Sequence, residues 1–234
     1  MISPLLVSFW LFGSLFGEGD CRIAEEQGIR IMHQIGEKWP LRTIEDPVSH
    51  YVQRIGMRLA RIVDTAMRQS WDFYVLRNAE LSAIAVGGGH FVISDGLIAF
   101  LRNESELAAV LAHEIAHQDL GHFCRGLSPA VEQIDHGTVV QHYDPNVEME
   151  ADRAAPRLLS AAGFDSGAMV SVLHCLQQSP STSESQLSSR IRALDMHVGT
   201  LVKGIDSTSA SASFREARRR VEEDLGNSVH QDCR

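Results

Sequence analysis

The residues best suited to chemistry lie in the HEIAH motif at positions 113–117, inside the apolar stretch 107–122. Residues four apart lie on the same face of an α-helix, because 3.6 residues make one turn. His113 and His117 can therefore direct two imidazoles at one metal ion, with the carboxylate of Glu114 beside it. Hydrolysis at a zinc ion needs such a set: two neutral nitrogen ligands, a carboxylate base and an open coordination position.

A second group of acidic residues follows about thirty positions later. A lone HExxH can arise by chance, but here it lies in an apolar run, where its polar residues are costly to bury without partners. Glu148 and Asp152 are four apart and share a helix face, whereas Glu150 points to the opposite side. The pattern predicts that Glu148 is the third ligand and that Asp152 orients a ligand histidine. His136 and His142 are alternative ligands in a segment with no helix to hold them.

Composition limits the class of protein and of partner. A chain of 234 residues with 44% hydrophobic residues can form one domain with a sizeable core. The net charge of −9 and the lack of a basic run argue against nucleic acid or an anionic membrane surface as the main partner. Cys21, Cys124, Cys175 and Cys233 form no CxxC pair. Their even number is compatible with disulfides in an oxidising compartment, and equally with free thiols.

The N-terminal segment predicts export. Residues 1–16 are apolar, carry no charged side chain and are too short for a comfortable membrane span. This length fits the core of a secretory signal peptide, with Gly17-Glu18-Gly19 as a small-x-small cleavage site. No basic residue precedes the apolar run. The alternative to a signal peptide at 1–19 is an apolar helix that docks on the domain or peripherally on a membrane.

The elements that must position the motif follow from periodicity and turn residues. Strands are predicted at 72–76, 82–86 and 90–94, with a Gly87–Gly89 turn between the last two. Helices are predicted at 23–35, 48–63, 104–120, 145–163, 166–177, 187–197 and 213–225. Residues 123–143 show no clear period and predict a loop that could cover the site, and 179–186 predict a flexible connection. The fold class is therefore α+β: a mostly helical domain at 20–200 with a small three-stranded sheet beside the HExxH helix, then a charged helix and tail at 201–234.

The segment HEIAHQDLGH, followed by EMEADRAAPRLLSAAGFD, resembles the gluzincin peptidases. This family includes the CAAX prenyl proteases, the bacterial heat-shock membrane protease, the mitochondrial inner-membrane stress protease and periplasmic proteases of outer-membrane quality control. Its paired HExxH and ExxAD motifs are specific when both occur, and the resemblance covers about residues 25–194. It implies a zincin fold and one zinc ion per chain, with these residues at the site: His113, His117 and Glu148 as ligands, Glu114 as catalytic base, and Asp152 beside a ligand.

The resemblance also predicts where a substrate binds. The segment SAIAVGGGHFVISDGLI is similar to the edge strand and turn of the family, on which the substrate is held as an added strand. The residues that would bind the peptide are Ala83, Ile84, Ala85 and Val86.

Two departures from the family pattern matter. The family has His-Pro six residues before a C-terminal arginine, but aligning that arginine on Arg190 puts Glu184 and Ser185 there. A histidine that assists the oxyanion or blocks the zinc is thus absent, and Glu184 could take the fourth position instead. The short segment between His117 and Glu148 leaves no room for a transmembrane hairpin, which predicts the compact, soluble branch.

The sequence therefore predicts a zinc-dependent metalloendopeptidase that hydrolyses peptide bonds in protein substrates during quality control in the cell envelope, such as the periplasm. The missing His-Pro motivates an alternative, a zinc-bound chaperone-like or binding module with weak or lost proteolysis. A chance HExxH in a structural helix would instead predict no stoichiometric zinc. The oligomeric state is left open by the sequence.

Overall fold

The structure of the protein is a computed structural model that describes residues 18–64, 70–123, 134–135, 138–139, 144–178, 184–198 and 210–226. Side chains are described for 25–64, 70–123, 144–178, 187–195 and 210–226. The predicted signal-peptide core and the alternative ligands His136 and His142 lie outside the described residues, and so does the side chain of Glu184.

The fold is α+β, as predicted. Its helices are α1 Glu18–Lys38, α2 Pro47–Val63, α3 Asp95–Phe100, α4 Glu104–Asp119, α5 Pro145–Ala161, α6 Ala168–Gln177, α7 Glu184–Val198 and α8 Ala212–Leu225. Its strands are β1 Asp72–Leu76, β2 Ala83–Gly87, β3 His90–Ser94, β4 Ile134–Asp135 and β5 Thr138–Val139.

Several details differ from the sequence prediction. Helix α1 begins at Glu18, five residues before the predicted start and inside the predicted signal peptide at 1–19. Helix α3 was not predicted, because six residues are too few to show a helical period. Helix α6 begins at Ala168 rather than at 166, since the Asp165 carboxylate accepts from Gly167 N–H at 2.9 Å and forms a turn there. Helix α7 begins at Glu184, inside the stretch predicted as a flexible connection. A short β4–β5 hairpin interrupts the predicted 123–143 loop.

The three-stranded sheet has the order β1-β3-β2, so β2 is an edge strand. β3 pairs antiparallel with β2 and parallel with β1. The turn between β2 and β3 requires glycine: Gly87, Gly88 and Gly89 have φ of 91°, 63° and 79°. A Cβ on Gly89 would also lie 1.9 Å from the Ser70 carbonyl oxygen.

Helices cover both faces of the sheet. On one face, Ile35 of α1 packs against Ile84, Val86 and Val92. On the other, the ring of Phe91 stacks on Phe73 with centroids 4.8 Å apart and joins the core formed with α2 and α4. The side chains alternate between the faces because successive residues of a strand point to opposite sides. The sheet is thereby fixed between α1 and α4, with its β2 edge close to α4.

Helix α4 is buried on all sides. It packs against α2, α5, α6 and β2, and residues 105–117 are all buried. Such surroundings explain why the apolar run at 107–112 covers all sides of the helix and not one face. Asn103 caps its start by accepting from Glu106 N–H at 3.0 Å. No helix of the described part of the chain is long and apolar enough to cross a bilayer.

Candidate metal centre

The packing of α5 against α4 brings together three groups able to bind a metal ion. His113 Nε2 and His117 Nε2 lie 3.1 Å apart, and each lies 3.4 Å from an oxygen of Glu148. Ligand atoms about 2.0–2.1 Å from a tetrahedral ion would be about 3.3–3.4 Å apart. The donor set therefore fits one such ion and leaves a fourth position for another ligand.

Asp152 lies behind one of the two histidines. Its Oδ1 is 3.1 Å from His113 Nδ1, although the alignment falls short of a good hydrogen bond. Burial would raise the pKa of the Asp152 carboxyl, but Arg190 and His113 hold it below its usual range. Asp152 is thus an ionised, buried carboxylate that lies against the ring of His113.

Arg190 of α7 holds both carboxylates, a role that the sequence did not reveal. Its guanidinium donates to the two oxygens of Asp152 at 2.7 and 2.8 Å, and lies 2.9 Å from Glu148. From the sequence, Arg190 had no predicted role at the metal site and served only to align the His-Pro pattern of the family. Nothing near Arg190 in the chain suggests two acidic partners. The contact depends on α7 packing against α5.

Charge is distributed unevenly over the site. Burial alone would lower the pKa of His113, but Asp152 and Glu148 raise it to about 10. Burial lowers the pKa of His117, with His113 acting in the same direction. The pKa of Glu148 lies well below its usual range, because the two histidines and Arg190 outweigh the effect of burial. A bound metal ion would replace the proton that these groups hold on His113.

Glu114 lies between the three ligating groups and the sheet. The residue is buried, and its Oε2 accepts from the backbone N–H of Ala85 at 2.8 Å. Burial, assisted by the charge of Glu148, raises the pKa of Glu114 to about 7. A carboxylate with a pKa near neutrality is suited to accept and return a proton.

The edge of β2 presents its backbone towards this carboxylate. Ser82 O accepts from Ser94 N–H of β3 at 2.9 Å, whereas Ala85 donates to Glu114 instead. Because amide groups alternate in direction along a strand, the N–H and C=O groups of Ala83 and Ala85 point away from β3. The predicted substrate strand and the predicted base are therefore in direct contact.

Comparisons with known proteins show which proteins parts of the chain resemble. A family model described as Peptidase family M48 matches residues 48–140, which include the HExxH motif but end before Glu148. The beta-barrel assembly-enhancing protease of Yersinia pestis is 30% identical over 166 residues, covering 57% of this chain and 34% of the relative. Its counterpart in Escherichia coli (strain K12) is 33% identical over 103 residues, covering 44% and 20%. By these similarities the chain is related to the M48 metallopeptidases, and the predicted resemblance to gluzincin peptidases is confirmed.

A eukaryotic protein is also similar. The mitochondrial metalloendopeptidase OMA1 of Schizosaccharomyces pombe is 28% identical over 167 residues, covering 63% of this chain and 49% of the relative. The chain thus spans between one fifth and about half of the length of the three relatives described.

Proposed function

We propose that the chain is a zinc-dependent endopeptidase that cleaves protein substrates. The observation that carries the proposal is the convergence of three ligating groups, a buried carboxylate and the edge strand β2 at one place. His113, His117 and Glu148 supply a His₂Glu donor set, which is typical of catalytic zinc. Their spacing supports one ion per chain. Zinc, when bound, would supply a Lewis acid that activates water and polarises the scissile carbonyl.

Glu114 acts as the general base and then as the general acid. Its carboxylate lies next to the ligating groups, takes the proton of the attacking water and returns it to the leaving amine. Its ordinary basicity would be too low for this work at neutral pH, but burial raises the pKa of Glu114 to about 7. Asp152 holds the ring of His113, and Arg190 holds Asp152 in turn.

The substrate binds as an extended strand beside β2. The outward N–H and C=O of Ala83 and the outward C=O of Ala85 would pair with its backbone, while Ile84 and Val86 keep the strand fixed through the packing of α1. A peptide bound there lies directly against Glu114, since Ala85 N–H already reaches that carboxylate. Backbone pairing recognises an extended chain of many sequences, which suits an enzyme that acts on unfolded protein.

The cell envelope is the proposed compartment, and quality control of envelope proteins the proposed role. Two relatives, from Yersinia pestis and Escherichia coli, are named as beta-barrel assembly-enhancing proteases. In addition, Cys175 is buried and disulfide-bonded. Structural disulfides persist in oxidising compartments such as the periplasm and are rare in the cytosol. The predicted signal peptide at 1–19 agrees with this location.

Cleavage of a labelled unfolded protein, such as casein, by the wild type and by Glu114→Gln tests the proposal. We expect both proteins to bind one zinc, with the rate of cleavage by the variant about 10²–10⁴-fold lower. Glu45→Gln, an exposed glutamate without a described ion pair, is the matched control and should cleave normally. A Glu114→Gln variant that keeps both zinc and full activity would overturn the mechanism.

The same variants separate the alternative, a zinc-bound chaperone-like module, which the missing His-Pro pair still motivates. Such a module would keep its biological effect in Glu114→Gln cells and lose it in Glu148→Ala cells, where the metal site is broken. A peptidase would lose its effect in both.

A further inference from the structure

The C-terminal end of α4 places His122 against the Nδ1 side of the His117 ring. Gly121 has a φ of 67° and reverses the chain after the helix. His122 N–H donates to His117 O, and Gly121 N–H donates to Gln118 O, both at 3.1 Å. This hydrogen-bond pair is the Schellman motif, which brings the second residue beyond the helix against the residue at its third-last position. An apolar contact often fills this place, but here it is filled by two imidazole rings.

The two rings are hydrogen-bonded, and the chain of contacts continues to a carboxylate. His117 Nδ1 lies 2.9 Å from His122 Nδ1, and His122 Nε2 lies 3.2 Å from Glu150 Oε2. His122 is completely buried, whereas the side chain of Glu150 is 44% exposed. The rings meet edge to face, with centroids 4.8 Å apart. Neither His122 nor Glu150 had a role in the sequence prediction.

We infer that His122, held by Glu150, is a positioning residue for the metal ligand His117. The inference rests on the metal site of the proposed function. When Nε2 of His117 binds the ion, its Nδ1 carries the proton and can donate to Nδ1 of His122. His122 then carries its own proton on Nε2, the atom that faces Glu150. One assignment of protons therefore satisfies both of these contacts, and it fixes the tautomer and the orientation of the ligand ring.

This arrangement gives the two ligand histidines different supports. His113 is backed by a buried carboxylate, Asp152, which is itself held by Arg190. His117 is backed by an imidazole, whose acceptor nitrogen is uncharged. A neutral acceptor orients the ring without adding a second negative charge beside Glu148. The site can therefore hold two histidines firmly although only His113 has a carboxylate directly at its Nδ1.

Three variants test the inference. His122→Phe fills the space but removes the acceptor, and His122→Asn places an amide oxygen where Nδ1 stood. Glu150→Gln changes only a half-exposed side chain, so it leaves folding intact. Phe123→Leu, at the neighbouring buried position, is the control for packing. Each protein is stripped with a chelator, and its zinc dissociation constant is measured by competition.

We expect the zinc dissociation constant to rise about 10–100-fold in His122→Phe, since loss of an outer-shell partner has effects of this size. His122→Asn should recover most of that affinity, Glu150→Gln should weaken binding by severalfold, and Phe123→Leu should bind as the wild type does. The absorption bands of the cobalt-substituted protein should shift in His122→Phe and return in His122→Asn, which a purely structural role would not produce.

The failures of the two proposals are distinguishable. A wild type that binds no zinc would overturn the metal site itself. A wild type that binds zinc, with equal affinity in His122→Phe and Glu150→Gln, would overturn only the positioning role. Equal weakening in His122→Phe, His122→Asn and Phe123→Leu, with matching losses of metal-free melting temperature, would also overturn it, because packing alone would then explain the effect.

Discussion

Replacing Arg190 with methionine should destabilise the metal-free protein strongly and the zinc-bound protein less. Arg190 lies against two carboxylates, with contacts of 2.7 and 2.8 Å to Asp152 and 2.9 Å to Glu148. Its side chain is 18% exposed, and those of Asp152 and Glu148 are 3% and 17% exposed. Methionine keeps most of the length of the side chain but leaves the carboxylates of Glu148 and Asp152, four residues apart on α5, with only protonated His113 to compensate their charge.

The magnitude follows from the charges and the burial. Each ion pair at about 4 Å between charge centres is worth about 4 kcal/mol at an effective dielectric constant of about 20. Part of this is offset because methionine needs no desolvation, and breaking a buried pair costs about 3–5 kcal/mol overall. Because the side chains of Arg190 and Glu148 are slightly exposed to solvent, we expect a cost at the lower end of this range. A loss of about 3 kcal/mol corresponds to a fall in melting temperature of about 6–12 °C for a chain of this length.

The assay is thermal unfolding followed by circular dichroism, with and without a chelator. Arg192→Met is the matched control, because Arg192 is an exposed residue of the same helix. In excess zinc the gap between wild type and Arg190→Met should shrink, since a divalent ion takes over compensation of the Glu148 charge. A metal-free loss below about 1 kcal/mol, or one equal to that of Arg192→Met, would refute the argument that Arg190 neutralises the two carboxylates.

Two further predictions concern the elements that position the site. Gly56→Ala would place a Cβ 2.5 Å from ring atoms of Phe73 and should lower the free energy of unfolding by about 1–3 kcal/mol. Gly36→Ala, with open space around its Cβ in α1, should instead raise it by about 0.5–1 kcal/mol, and chemical denaturation would detect the opposite signs. Ala85→Pro removes the N–H that faces Glu114 but no hydrogen bond to β3, so it should reduce kcat/KM at least about tenfold. Zinc content should stay at the level of the wild type, and unchanged cleavage would contradict the role of the β2 edge.

The parts of the molecule that were predictable from the sequence depend on short-range geometry. The four-residue spacings of His113 with His117 and of Glu148 with Asp152 place each pair on one helix face wherever the helices go. Helix N-caps also depend on short-range geometry. Asn103 and Asp144 cap the starts of α4 and α5, as their residue types predict. Even so, the sequence could only suggest that the two pairs meet, because their distance depends on the packing of α5 against α4.

The parts that were not predictable depend on contacts between distant segments. The parallel pairing of β1 with β3 leaves no local signal, because it depends on the path of the chain and not on a turn. Arg190 is separated from Asp152 by 38 positions, and its role follows from the packing of α7 on α5. A partly buried arginine such as Arg190 is recognisable only when its acidic partners are known to be near.

The position of His122 depends both on short-range geometry and on a contact with a distant segment. Its place against His117 follows from a local rule, since a helix that ends in Leu-Gly-His brings the residue after the glycine back to the third-last helical residue. The segment HQDLGH therefore encodes the histidine pair on its own, before any tertiary packing. Glu150 then adds a constraint from the same helix that supplies Glu148 and Asp152. A shift of α5 relative to α4 would therefore disturb Glu148, Asp152 and Glu150 together, whereas His122 would keep its place against His117.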